Sequence, residues 1–180
     1  DLQFPEMTHL HFVRSPYPHA KIKKMDLSAA MESEGVLAVY TADDLIRDGV
    51  NPYPIPGPPG DFVTQEILNR GYRNGNGEPM DPPRWLALAK DEVRYVGQPV
   101  IAILAESAEN ALTTSELVEV DYEELASVGT IQDAEKESAP AIWEGAPGNL
   151  LIQMEHGDAA KTDRIFAEAD HVTELELSNS

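Results

Sequence analysis

Cysteine is absent from the chain. Its absence excludes disulfides, a thiolate nucleophile, iron–sulfur ligation and a zinc–thiolate centre from these 180 residues. It also suits a cytoplasmic setting, and it does not exclude a periplasmic one. Long apolar runs are missing too. No stretch approaches the roughly eighteen apolar residues that a membrane span needs, and no charged-then-apolar leader opens the chain. The first residue is Asp1 and not Met, which reads as a processed or excised piece. Basic residues are scarce: 13 Lys and Arg face 32 Asp and Glu, for a net charge of −19. That balance argues against nucleic acid or an anionic membrane surface as a partner. The deficit is concentrated in the second half, where residues 95–180 hold three basic and eighteen acidic side chains. Such a surface is either a solvated acidic face or one that docks on a basic neighbouring domain or subunit.

The richest pattern lies between Arg94 and Glu123. Val96 and the run Val100 to Ala105 are apolar and β-branched, which predicts a strand buried on both faces. Gly97 and Pro99 predict a bend or bulge where the strand begins, because proline cannot donate to a ladder. Ser107 is a good N-cap, and Ala108, Ala111, Leu112, Ser115 and Val118 share one helical face, so a helix is expected over 108–118. Glu119 to Glu123 alternates charge with Val120 and Tyr122, as a half-buried strand does. Strand, helix and strand suggest a central β-α-β unit with a right-handed crossover in a mixed sheet, of α/β (α+β) class.

Upstream, His9 to Arg14 and Ala20 to Met25 read as strands, broken by Ser15-Pro16-Tyr17-Pro18 and expected to pair as a hairpin. Ser28 is expected to cap a short helix closed by Gly35, and Val36 to Tyr40 is a third strand. Thr41-Ala42-Asp43-Asp44 carries an N-cap with an acidic third residue, so a brief helix should run to Arg47. From Asp48 to Arg84 the pattern lapses, with eight of the fourteen prolines and six of the twelve glycines. This stretch is an excursion from the core, either a functional loop or a solvated insertion, with a short helix after Asp61. Downstream, Asp133 to Ala139 turns helically, Ala146 to Asn149 links, Leu150 to Met154 and His171 to Leu177 read as strands, and Ala159 to Ala169 as an amphipathic helix. The last three form a second, incomplete β-α-β piece.

Chemistry is sparse. His9 and His11 share a strand face, but no third ligand is fixed by spacing, so no metal site is assigned. His156 reads as a turn residue, and His19 and His171 as surface or strand-end residues. Arg73 to Gly77 lacks the strand-to-helix context of a phosphate loop. Lys23-Lys24-Met25 lacks the first Met and the hairpin-tip position of a biotin carrier. Asp43/Asp44 and Glu123/Glu124 are adjacent pairs that point apart, which is poor geometry for acid–base work. No Gly-x-Ser-x-Gly elbow occurs. Spacing alone therefore assigns no catalytic, cofactor-binding or metal residue.

The order of short motifs carries more. Phe12-Val-Arg-Ser-Pro16, His19-Ala-Lys-Ile22, Gly35-Val-Leu-Ala-Val39 and Thr41-Ala-Asp-Asp-Leu45 come first. Val93-Arg-Tyr-Val-Gly-Gln-Pro-Val100, Glu116-Leu-Val-Glu-Val-Asp-Tyr-Glu123, Ala146-Pro-Gly-Asn149, Gly157-Asp158 and Ala167-Glu-Ala-Asp-His-Val172 follow. Together they resemble the N-terminal part of the large, molybdenum-binding subunit of the xanthine dehydrogenase, aldehyde oxidase and carbon monoxide dehydrogenase family.

The resemblance implies an α/β hammerhead domain over residues 1–130, a linker over 131–149, and the truncated start of a molybdopterin-binding domain over 150–180. It implies an oxidoreductase that hydroxylates an aldehyde, purine or N-heterocycle, or oxidises carbon monoxide, with oxygen from water. Molybdenum on a pterin dinucleotide would act in the intact subunit, with iron–sulfur clusters and in many members FAD on partner subunits or domains. The family's later Gly-Gln motif, pterin loops and catalytic Glu match no position here, and Gly97-Gln98 is not that Gly-Gln pair. The segment by itself is expected to be inactive. The resemblance also suggests that Glu78, Pro79, Met80, Asp81, Pro82, Pro83, Arg84 and Trp85 border the substrate funnel. The rival reading is a stand-alone acidic binding module.

Overall fold

The structure, a computed structural model, describes residues 4–53, 78, 85–151 and 157–177. Among the described residues, six strands form two three-stranded antiparallel sheets. The first has the order β1 (His9–Arg14), β5 (Pro99–Ala105), β3 (Val36–Tyr40). The second has the order β4 (Glu92–Val93), β2 (Ala20–Asp26), β6 (Glu119–Glu124).

β5 is the hub. Val100, Ile101, Ala102 and Ile103 are consecutive and all buried, so both strand faces are covered. Ile101 and Ile103 pack with Val100, Val93 and Ala20 in the main core, while Ala102 joins Ala42 and Leu88 in a second cluster on the other face. The expected bulge lies at the start of the strand: Val13 faces Ile101, but Arg14 already faces Pro99. Gly97, at φ 87°, turns the chain there, donating to Ser15 O at 2.8 Å and accepting from Arg14 Nη1 at 2.8 Å. Val96, by contrast, stays 64% exposed and outside the strand.

Strand pairing corrects two expectations. β1 and β2 form no hairpin. β1 pairs with β5 and β2 with β6, in separate sheets. Ser15 N donates to Gln98 O at 2.9 Å and prolongs the β1–β5 pairing, while Tyr17 packs on Tyr122 of β6 with ring centroids 5.2 Å apart. Likewise β5, the following helix and β6 succeed one another as read, but the two strands lie in different sheets, so no parallel crossover closes. The α/β class stands, built from antiparallel pairs.

The helices are short and locally capped. In α1 (Ser28–Met31), Ser28 is inside the helix, and the Asp26 carboxylate accepts from its N–H at 3.1 Å and its hydroxyl at 2.6 Å. Gly35 follows at φ 74°, where a side chain would strain the backbone. α3 (Ala108–Ser115) ends three residues before expectation. It buries Ala111 and Thr114 against the first sheet, whereas Leu112 is 53% exposed. The Thr114 hydroxyl donates to Ser33 Oγ at 3.0 Å, which makes a polar residue the better fit to that face.

α2 (Ala42–Arg47) carries the capping box anticipated at Thr41: Asp44 N donates to Thr41 Oγ1, and Thr41 N donates to Asp44 Oδ2 at 2.8 Å. Hydrogen bonds from Thr41, helped by Arg47, hold the Asp44 carboxyl below its usual value. Asp133 (from Lys136, then Thr130), Glu123 (from Lys23) and Asp26 (from Ser28) are lowered in the same way. A depressed carboxylate contributes stability that is fully present above its unfolded value, near pH 4, and is lost as pH falls through the folded value. Replacing Thr41 by Ala should cost about 1 kcal/mol at neutral pH. Its gap from the wild type in urea melts should narrow below about pH 4, as Asp44 protonates in both proteins.

Beyond the sheets, α4 (Ile131–Ala134) and a 3-10 turn (Pro147–Asn149) lead to α5 (Ala159–Ala167). Leu150 and Leu151 are not in a strand, and Ile152 to Met154 lie outside the described residues. Residues 171–177 form no ladder, because their alternating pattern meets no partner strand among the described residues. Ile165, Phe166, Leu175 and Leu177 are exposed.

Candidate functional site

One cleft of about 1080 Å³ opens beside β4 and the start of β5. Trp85 and Trp143 form its aromatic walls, 6.5 Å apart between ring centroids. They are the only tryptophans in the chain. Tyr53 N donates to Trp85 O at 2.7 Å, so the two ends of the proline-rich excursion meet at the rim. At another edge Lys90 pairs with Asp43 at 3.0 Å, and that hydrogen bond raises the ammonium above its usual value.

Arg94 organises the cleft. Its backbone N–H donates to Gln98 Oε1 at 2.6 Å and its Nε donates to Ile142 O at 3.0 Å. The guanidinium lies 3.9 Å from the centroid of the Trp143 ring, a cation–π stack. On its other side Arg94 Nη2 stands 3.4 Å from Glu92 Oε1. The same carboxylate oxygen is 2.6 Å from Nε2 of His19.

His19 is 5% exposed, which corrects its reading as a surface or strand-end residue. Its Nδ1 is 2.6 Å from Ala126 O. A carbonyl only accepts, so Nδ1–H donates, and the Nε2–Glu92 contact must contain one further proton. Both ring nitrogens are therefore committed, which leaves His19 no free position as a general base. Its role is to join β2, β4 and the chain after β6. The sequence signal was weak: a histidine flanked by Pro18 and the fully buried Ala20 of a strand start.

The other sequence candidates stay apart. Of the eight funnel residues, Glu78 and Trp85 are described, and Pro79 to Arg84 lie outside the described residues, as do the expected helix after Asp61, Arg73 to Gly77, and His156. His9 and His11 are half-buried opposite Ala105 and Ile103. His171 is exposed, with Nε2 3.2 Å from Thr173 Oγ1. Among the described residues no group of three or more His, Asp or Glu converges as a metal site requires. Among the described residues no helix is long and apolar enough to cross a membrane.

The sequence profile for the aldehyde oxidase and xanthine dehydrogenase a/b hammerhead domain matches residues 1–71 and, overlapping them, 60–126. The chain belongs to this family. The carbon monoxide dehydrogenase large chain of Hydrogenophaga pseudoflava is 31% identical over 181 residues, covering 94% of this chain and 20% of the relative. The nicotinate dehydrogenase large molybdopterin subunit of Eubacterium barkeri is 28% identical over 174 residues, covering 97% of this chain and 34% of the relative. Among solved structures, reconstituted CO dehydrogenase from Oligotropha carboxidovorans superposes with a TM-score of 0.64 at 28% identity, covering 94% of this chain and 20% of that one. The resemblance drawn from the ordered motifs is confirmed, and the two small sheets are the hammerhead fold. The hammerhead chain spans a fifth of the length of the carbon monoxide dehydrogenase large chain it matches.

Proposed function

We propose that this chain is the N-terminal, structural segment of a molybdenum hydroxylase large subunit. The supporting observation is the hammerhead profile, together with alignment of nearly the whole chain to relatives about five times as long. The intact protein is an oxidoreductase that hydroxylates an aldehyde, purine or N-heterocycle, or oxidises carbon monoxide, with oxygen from water. Molybdenum on a pterin dinucleotide, held outside this segment, supplies the two-electron chemistry. Iron–sulfur clusters, and in some cases FAD, on partner subunits take the electrons onward. The terms "large chain" and "large molybdopterin subunit" in the relatives' names support such a multi-subunit assembly.

In this reading residues 1–130 are the hammerhead, 131–149 the connection and 150–180 the start of the molybdopterin-binding domain, in a cytoplasmic enzyme. Glu78 to Trp85 borders the substrate approach. The 180 residues alone are inactive in this reading, because the molybdenum centre that supplies the chemistry is held outside them.

The test is dye reduction by the full-length protein with its partner subunits, against carbon monoxide, aldehydes, purines and N-heterocycles in ¹⁸O-labelled water. Oxidation of one class with label in the product is expected. A cofactor-loaded complex that turns over none of them, or takes its oxygen from O₂, would contradict the proposal.

A further inference from the structure

Residues 131–149 are tied to themselves and to the sheets at separate points. The inner tie is Asn149, held at φ 57°. Its Oδ1 accepts from Ile142 N at 2.9 Å, and its Nδ2 donates to Ala134 O at 3.1 Å and Pro140 O at 3.0 Å. One amide side chain thus closes the loop on itself, satisfying three backbone groups that a non-helical segment leaves open.

The outer tie is Arg94, through its bond to Ile142 O and its stack on Trp143. Otherwise the loop buries little: Ala146, at 3% exposure, is its one residue in the core. A segment with so few buried apolar contacts opens at a lower free energy than the sheets beneath it. Yet Trp143, Glu144 and Gly145 form one side of the cleft.

We propose that residues 131–149 are a strap that opens and closes this wall of the cleft, and that Arg94 is the positioning residue that latches it. Opening needs the Ile142 bond, the Trp143 stack on Arg94, the Trp143 contact with Trp85 and the burial of Ala146 to be given up. Without the latch the 142–149 turn frays, so its Ala146 and Asn149 amide bonds open with it. Arginine suits the latch because its planar fork donates in-plane while its face stacks, and lysine cannot do both.

Hydrogen exchange read by mass spectrometry on the full-length protein tests this, comparing wild type with Arg94→Lys and Trp143→Leu. The amides to follow are Ala146, bonded to Trp143 O, and Asn149, bonded to Ala146 O, against those of β5. Loss of the stack should speed exchange at residues 142–149 on the order of tenfold and leave Val100 to Ala105 unchanged. If Arg94→Lys does not accumulate as folded protein, Trp143→Leu gives the same reading with β4 intact. Unchanged exchange at 142–149 in Trp143→Leu would overturn the latch. Equal acceleration in β5 would overturn the strap, since the loop would then open only with the whole fold.

Discussion

Replacing Ile103 by Ala should cost about 2–5 kcal/mol, because it removes three carbons from the densest point of the core and leaves a cavity. Ile103 has no exposed surface and faces His11 on one neighbouring strand and Val39 on the other. Covered by strands on both sides and by side chains above and below, the site has little room to collapse into the space left behind. Leu112→Ala is the matched control. The same truncation on the outer face of α3, half exposed to solvent, should stay within about 0.5 kcal/mol. Urea unfolding of the chain measures both. Equal losses would mean that β5 is not the hub around which the two sheets are packed.

Replacing His19 by Leu should cost about 2–3 kcal/mol even though the new side chain is apolar and the site is buried. The change strips Ala126 O of its donor and leaves the Glu92 carboxylate, whose side chain is 23% exposed, with only Arg94 at 3.4 Å. The contacts are shared, so the losses should not add. The double variant His19→Leu/Glu92→Leu should be more stable than the sum of the two single changes predicts, by roughly 1 kcal/mol or more. A double-mutant cycle from urea midpoints gives that coupling directly. Additive losses would show that the 2.6 Å contact carries no stability of its own.

The two residues differ in how far the sequence announced them. β1 and β3 fall on the ranges expected, and the Thr41 capping box is where its spacing placed it, because alternation and caps are properties of the chain over a few residues. Pairing is not local. Nothing in Ser15-Pro16-Tyr17-Pro18 distinguishes a hairpin turn from a crossing between sheets. The decision rests on Gln98 and Tyr122, both far along the chain. The cleft was hidden for the same reason. Arg94 and Trp143 are ordinary residues until the fold stacks them, and Asn149 sat in a motif that read as a linker and a family marker, with nothing in it to show the three backbone groups it ties. Leu112 was misplaced because hydrophobicity was taken as burial, where the buried position belongs to Thr114 and its bond to Ser33. Family membership, by contrast, was carried by the order of many short motifs, none of which needs a contact to be recognised.

The most direct test of the functional proposal is the molybdenum content of the full-length protein, purified with its partner subunits. Molybdenum equimolar with the chain, accompanied by a releasable pterin dinucleotide, is the expected result. A folded full-length protein that carries neither, under conditions that load a known molybdenum hydroxylase, would contradict the proposal and leave the acidic binding module as the reading to pursue.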